Sequence, residues 1–153
     1  NVLKIIPESK ELGFVGIPYK INVEIIMDKI KNEIIPIISP LGLGSDNKTY
    51  NINGDTAAGA IAKSLKSRRL LLMTNVEGVL NKDKILIEEI SSSKIMEMID
   101  DKTITEGMIP KINTCLDAVN NGVTAVAIID GRKQHSILFE IFSDKGSGTL
   151  IRK

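Results

Sequence analysis

Polar side chains able to handle an anion gather at a few places in this sequence. Asn51, Asn53 and Asp55 alternate with Ile52 and Gly54 just before a run of small residues, Thr56-Ala57-Ala58-Gly59. Asn and Asp are poor strand formers, so their position at the end of an extended run calls for a local role. On an extended backbone, residues two apart point the same way, which would give one polar face ending in a carboxylate. Asp55 also reads as the N-cap of a helix starting at Thr56, with the Asn residues serving a turn. A second place is Gly107-Met108-Ile109-Pro110-Lys111, where Pro110 suits the first position of a helix. Lys111 then falls in the first turn. The helix dipole disfavours a cation there, unless a strong anion such as phosphate binds at the same end. The plainer reading is a solvated surface lysine. Two more polar loops, Thr74 to Gly78 and Asp130-Gly131, each follow an apolar run.

The elements that must hold these residues alternate along the chain. Residues 2–6 read as a strand and residues 12–18 as a Gly-punctuated extended piece suited to a hairpin. Asn22 can cap a helix with Val23, Ile26, Met27 and Ile30 on one face. Residues 34–39 read as a buried strand with Pro36 near its start. The helix after Asp55 should bury Ala58, Ile61, Ala62 and Leu65. A charged break at Lys66-Ser67-Arg68-Arg69 suggests two lobes, 1–67 and 68–153. Residues 70–74 form an apolar run expected of a strand covered on both faces. Ser91 or Ser92 caps the next helix, which carries Ile95, Met98 and Ile99. The helix from Pro110 turns Ile109, Ile112, Leu116 and Val119 inward and ends at Asn120-Asn121-Gly122. Residues 124–129 read as a buried strand, and a last helix should turn Ile137, Leu138, Ile141 and Phe142 inward before a closing strand at 149–151. Strands alternating with helices predict an α/β fold with a mainly parallel sheet.

Bulk properties narrow the function. The 153 residues carry 20 Lys and Arg against 19 Asp and Glu, with no basic stripe interleaved with aromatics, so nucleic acid is not an expected partner. No apolar run approaches membrane-spanning length and no signal peptide is evident, which points to a cytoplasmic protein. The one cysteine, Cys115, sits in a helical pattern and reads as core. Neither a Walker A loop nor a dinucleotide fingerprint is present. Gly146-Ser147-Gly148 precedes a strand and reads as a turn, and His135 stands without a partner pattern. The sequence starts without Met and reads as a fragment.

Six motifs then follow in order: Tyr-Asn-Ile-Asn-Gly-Asp-Thr-Ala-Ala-Gly at 50–59, Thr-Asn-Val-Glu-Gly-Val-Leu at 74–80, Gly-Met-Ile-Pro-Lys at 107–111, Ile-Ile-Asp-Gly-Arg at 128–132, His135, and Gly-Ser-Gly-Thr-Leu-Ile at 146–151. Together they resemble the N-acetylglutamate kinases of the amino acid kinase fold, over essentially the whole chain, and Gly13-Phe14-Val15-Gly16 resembles a further family segment. The resemblance implies a three-layer α/β/α architecture whose amino-terminal portion lies upstream. It implies transfer of phosphate from ATP, with Mg²⁺, to the side-chain carboxylate of N-acetyl-L-glutamate, in arginine biosynthesis. By the same resemblance Lys111 stabilises the transferring phosphoryl group from the lobe opposite Asp55, and Asp55 orients the catalytic lysines. Asn51 and Asn53 hold the acceptor. Asn75, Val76, Glu77, Gly78, Val79 and Leu80, with Thr103, Ile104 and Thr105, contact the nucleotide. Lobe 1–67 belongs to the acetylglutamate side and lobe 68–153 to the nucleotide side. His135, Glu140 and Gly146 match the arginine effector site of inhibited members, which are homo-oligomers. The sequence departs from the pattern in Asn75, where the family usually has Asp, and Gly54, where it usually has Ala. The family's glycine-rich phosphate loop, a second lysine and a substrate-binding arginine have no counterpart in these residues, so the chain alone is expected to be inactive. Two other readings remain: a related enzyme acting on carbamate, aspartate, glutamate or a nucleoside monophosphate, and a non-catalytic module sensing arginine or nucleotide.

Overall fold

The computed structural model describes residues 1–104 and 107–153, which divide into two compact units, Asn1–Leu65 and Lys66–Lys153. In the first unit the order is β1 (Leu3–Pro7), β2 (Gly16–Ile21), α1 (Val23–Lys31), β3 (Leu41–Leu43), β4 (Thr49–Asn51) and α2 (Gly54–Leu65). The sheet runs β2-β1-β3-β4: β1 pairs antiparallel with β2 and parallel with β3, and β3 and β4 form a hairpin with Gly42 opposite Tyr50. Asn47 makes the hairpin turn at φ 61, a left-handed conformation that Asn tolerates better than most residues. Leu3, Ile5, Tyr50, Ile52 and Ala57 form the core. A side chain at Gly42 would put its Cβ 2.2 Å from Ile5 Cγ2, so β3 closes on β1 because this position is bare. Helix α1 forms where its periodicity places it, with Ile26 buried, but the Asn22 side chain makes no cap hydrogen bond.

The strand expected over residues 34–39 does not form. These residues have no regular structure, and Ile35 and Ile37 are 88% and 98% exposed. Pro36 removes a backbone donor from the run and Pro40 follows it directly, and no described strand pairs with it. In α2 the buried positions are Ala57, Gly59 and Ala62, rotated from the face that periodicity suggested.

The second unit contains β5 (Arg69–Thr74), β6 (Glu89–Ser91), α3 (Ser92–Asp100), α4 (Ile109–Asn120), β7 (Ala125–Asp130), α5 (Ser136–Phe142) and β8 (Gly148–Arg152). Its sheet runs β5-β7-β8-β6, with β5 parallel to β7, β7 antiparallel to β8, and β8 parallel to β6. The α/β fold is as expected, but its strands lie in two mixed sheets rather than one mainly parallel sheet. All six residues of β7 are buried, as a central strand covered by helices requires. Helix α4 packs on β7 and β8 through Ile112, Cys115, Leu116, Ala118 and Val119, so Cys115 is core. Strand β5 is one of the two outer strands of this sheet, and there Met73 is 47% exposed.

Helix α5 overturns its expected orientation. Ser136 and Glu140 are its buried residues, whereas Ile137, Leu138, Ile141 and Phe142 are exposed, Phe142 to 81%. The inward face is polar because it is hydrogen-bonded. Glu140 Oε2 accepts from the Ser147 amide at 2.9 Å, and Ser147 Oγ donates to the Ser136 carbonyl at 2.9 Å.

Candidate functional site

Strands β5 and β7 are parallel and in register from Arg69 opposite Ala125 to Thr74 opposite Asp130, so their carboxyl ends coincide. Such ends are where ligands bind in open α/β sheets. The Gly131 amide donates to the Thr74 carbonyl at 2.7 Å and ties the two departing loops together. The loop after β5 is fixed from below. Gly78 has φ 148, and a Cβ there would lie 2.5 Å from Thr149 Oγ1. With that space open, the Val79 amide donates to Thr149 Oγ1 at 2.8 Å in a buried hydrogen bond. The chain then doubles back, Leu80 bridging Leu86 and the Ile87 amide donating to the Val79 carbonyl.

Above this loop lies a cleft of about 770 Å³. It brings together Asn75, Val76, Gly78, Val79, Leu80, Thr103, Ile104 and Lys111. Thr105 lies outside the described residues, and Glu77 lines a different cavity. Lys111 is the third residue of α4, with Pro110 in that helix's first turn. Sequence reasoning missed Asn81, Lys82, Lys84, Asp101 and Lys102, which line the same cleft. Asp101 joins two of its walls: the carboxylate accepts from the Thr103 amide and hydroxyl and pairs with Lys82 Nζ at 2.9 Å. The Thr103 hydroxyl, with Lys82 next, holds the Asp101 carboxyl down at about 2. Among the described residues, Lys82, Lys84, Lys102 and Lys111 with Asp101, beside Val76, Val79, Leu80, Ile104 and Met108, make a cleft with apolar walls and a lysine-rich lining. That combination suits a flat apolar group carrying several negative charges.

The first unit's candidate residues are arranged differently from expectation. Strand β4 ends at Asn51, so Asn51, Asn53 and Asp55 do not share an extended face. Asn53, not Asp55, caps α2: its Oδ1 accepts from the amides of Asp55 at 3.0 Å and Thr56 at 3.2 Å. Asp55 lies inside the first turn, where a carboxylate is favoured by the dipole. The reason is one of register. The helix starts at Gly54, two residues before the expected Thr56, so the carboxamide takes the cap position. Asn51 is exposed, and its amide donates to the Phe14 carbonyl at 2.8 Å.

In the last third of the chain, Glu140 and Gly146 come together and His135 does not join them. Glu140 is 5% exposed, and Arg69 Nη1 lies 3.2 Å from its carbonyl and 3.4 Å from Oε1. Gly146 has φ +66, and a Cβ there would be 2.6 Å from Glu140 Oε2. A cavity of about 180 Å³ opens beside Arg69, Glu140 and Gly146. His135, at φ 59, stands exposed at the start of α5 and makes no side-chain cap bond. A third cavity of about 450 Å³ is lined by Glu77, Asp130 and Arg132 among others. There Asp130 accepts from the Arg132 amide, Nε and Nη2 at 2.9, 2.9 and 2.8 Å. The guanidinium holds the Asp130 carboxyl at about 2. Among the described residues, no group of three or more His, Cys, Asp or Glu is placed to hold a metal ion.

Residues 2–130 match the model of the amino acid kinase family. An acetylglutamate kinase from Pelagibacter ubique is 58% identical over 153 residues, covering 100% of this chain and 53% of that protein. Another from Methylobacterium nodulans is 52% identical over 143 residues, covering 94% of this chain and 47% of that protein. The chain thus spans about half the length of the curated relatives it matches. Among solved structures, the N-acetylglutamate synthase from Neisseria gonorrhoeae complexed with coenzyme A and L-arginine aligns at a TM-score of 0.91 and 25% identity, over 100% of this chain and 37% of that one.

Proposed function

Since the chain belongs to the amino acid kinase family, we propose that it is part of an enzyme that phosphorylates the side-chain carboxylate of N-acetyl-L-glutamate with ATP, in arginine biosynthesis. The observation that carries this reading is the cleft beyond β5, where Lys111, the loop over residues 75–80 and the Thr103-Ile104 segment share one lysine-lined space. The names and identities of the curated relatives support the choice of acceptor. The 25% identity to the synthase leaves acetyl transfer the weaker reading.

In this proposal the second unit takes the nucleotide. Its base and ribose lie against Val76, Val79, Leu80 and Ile104, and the phosphates reach toward Lys111. Mg²⁺ arrives on those phosphates as part of the nucleotide substrate. The first unit takes the acceptor through Asn51 and Asn53, and Asp55 orients catalytic ammonium groups. The acceptor is already a carboxylate, so no general base is needed. The difficulty is bringing two anions together and stabilising charge on the phosphoryl oxygens. A fixed ammonium such as Lys111 does this, and one well-aimed donor is worth ~3 kcal/mol in such a role. The enzyme so proposed is cytoplasmic and homo-oligomeric.

A second reading concerns control of the same enzyme. The cavity beside Glu140 is lined by polar groups, and the solved synthase contains L-arginine. Feedback inhibition by arginine is therefore part of the proposal, with Glu140 and Gly146 in the effector region and His135 at its margin.

The test is an assay of the whole enzyme, this chain completed to its relatives' length. ADP should form with ATP and N-acetyl-L-glutamate, and hydroxylamine should trap the acyl phosphate. Turnover of carbamate, aspartate, glutamate or a nucleoside monophosphate in preference to acetylglutamate overturns the acceptor assignment. Binding of nucleotide without turnover of any acceptor favours a sensing module.

A further inference from the structure

We infer that Phe14 is a positioning residue for Asn51, setting where that carboxamide meets the acceptor; this rests on the proposed reading of Asn51 as an acceptor contact. The backbone already joins the two. Asn51 donates its amide to the Phe14 carbonyl at 2.8 Å, and Val15 bridges Asn51 in a parallel sense. Val15 thus forms a single bridge beside the last residue of β4. It arrives there through a turn at Gly13, φ +64, and is pinned again where the Glu8 amide donates to the Val15 carbonyl at 3.0 Å.

The Phe14 side chain adds the contact that the backbone cannot. Its ring lies 5.5 Å from that of Tyr50 at 59°, a tilted geometry favoured by aromatic pairs. Tyr50 is buried and immediately precedes Asn51, and its hydroxyl donates to Asp46 at 3.1 Å. On the other side Lys48 Nζ sits 5.6 Å from the centre of the Phe14 ring, while the Lys48 amide donates to Asp46 Oδ1 at 3.1 Å. Phe14 is thus gripped by both strand residues and turn residues of the β3–β4 hairpin. It is 59% exposed in this chain. A ring that stays on the surface yet touches Tyr50 and Lys48 fixes the lateral position of β4 at Asn51. Without it the Val15 bridge is held there by main-chain bonds alone, and Asn51 gains freedom just where an acceptor would be held.

The experiment is steady-state kinetics on the whole enzyme. Phe14→Ala should raise KM for N-acetyl-L-glutamate about tenfold, equivalent to ~1.4 kcal/mol, and leave kcat and KM for ATP within about twofold. Phe14→Tyr, which keeps the ring, should restore the acceptor constant. Asn51→Ala is the control for the underlying reading. If it leaves the acceptor KM unchanged, the assignment of Asn51 falls and this inference falls with it. If Asn51→Ala raises that constant and Phe14→Ala does not, the inference alone is overturned. Equal losses in both substrates' constants on Phe14→Ala also overturn it, since that is the mark of general destabilisation. Should Phe14→Ala fail to fold, Lys48→Gln, a change at an exposed side chain, decides. A two- to threefold rise in acceptor KM, about a third to a half of the effect of losing the ring in free-energy terms, supports the inference. No movement overturns it.

Discussion

Lys111 sits in the first turn of α4, which contains no acidic residue, at the mouth of a cleft that already holds Lys82, Lys84 and Lys102. The dipole disfavours a cation in the first turn of a helix, and a bound anion offsets that cost. In the proposed enzyme the anion is the transferring phosphoryl group. Lys111→Ala should therefore lower kcat by about 10²- to 10³-fold while the nucleotide dissociation constant moves by less than about threefold. Stopped-flow turnover together with calorimetric titration of ATP checks both parts, and wild-type turnover returns Lys111 to an ordinary surface role. Asp130 offers a second test at this scale. The Arg132 guanidinium depresses its carboxyl from 3.8 to about 2, so the folded state holds its proton less tightly than the unfolded chain. The sign follows from linkage. The contribution is fully present above the unfolded value and is lost as pH falls from about 4 toward about 2. Asp130→Asn should flatten the fall in urea midpoint across that window, and an unchanged acid limb would show that the Arg132 pair carries none of it.

At the scale of elements, Glu140 links three of them: α5, which carries it; the Ser147 amide before β8; and the Arg69 side chain at the start of β5. Glu140→Ala leaves that amide and guanidinium without this carboxylate and should lower unfolding free energy by about 2 kcal/mol. Chemical denaturation with an unchanged m-value is the measurement. Helix α5 also shows what the sequence conceals. Periodicity assigns inward faces by hydropathy, and Ile137, Leu138, Ile141 and Phe142 outweigh Ser136 and Glu140 on that measure. What places Glu140 inside is a set of hydrogen bonds to residues distant in sequence. Residues 34–39 mislead for a related reason, because an apolar run marks a strand only where a neighbour supplies hydrogen bonds. Helix α4 and strand β7 were legible because hydrophobic pattern and burial agree there. Within the candidate cleft, residue types and spacing single out the loop over 74–78 and Lys111, and the extension to residue 80 rests on the family resemblance. Periodicity does not place Lys82, Lys84 and Lys102, because their common cleft depends on a turn in which Asn81 Oδ1 accepts from the Asp83 and Ile85 amides and on the Asp101 pair with Lys82. The cap was misread as Asp55 because Asn53 and Asp55 are both good caps. Only the start of the helix at Gly54 decides between them.

At the scale of the molecule, the chain is two units, each with its own four-stranded mixed sheet, and it spans about half the length of its curated relatives. Phosphoryl transfer between two anions needs cations and donors on several sides of the transferring group. The isolated chain should therefore show no acetylglutamate-dependent release of ADP, whereas the completed protein should. A coupled ADP assay on both settles this, and measurable release from the isolated chain overturns the division of labour proposed above. The net charge of +1 conceals the local field that matters, since four of the 20 basic residues line a single cleft. Weak binding of polyanions such as inorganic triphosphate to that cleft follows from the same distribution and declines with salt.

The buried hydrogen bond between the Val79 amide and the Thr149 hydroxyl reaches from the middle of the chain to its last strand. During synthesis residue 79 leaves the ribosome long before residue 149. Until β8 is threaded beside β7, the loop after β5 lacks the floor that shapes it. The cleft therefore takes its final shape only after the chain through residue 149 has been made and β8 has paired beside β7.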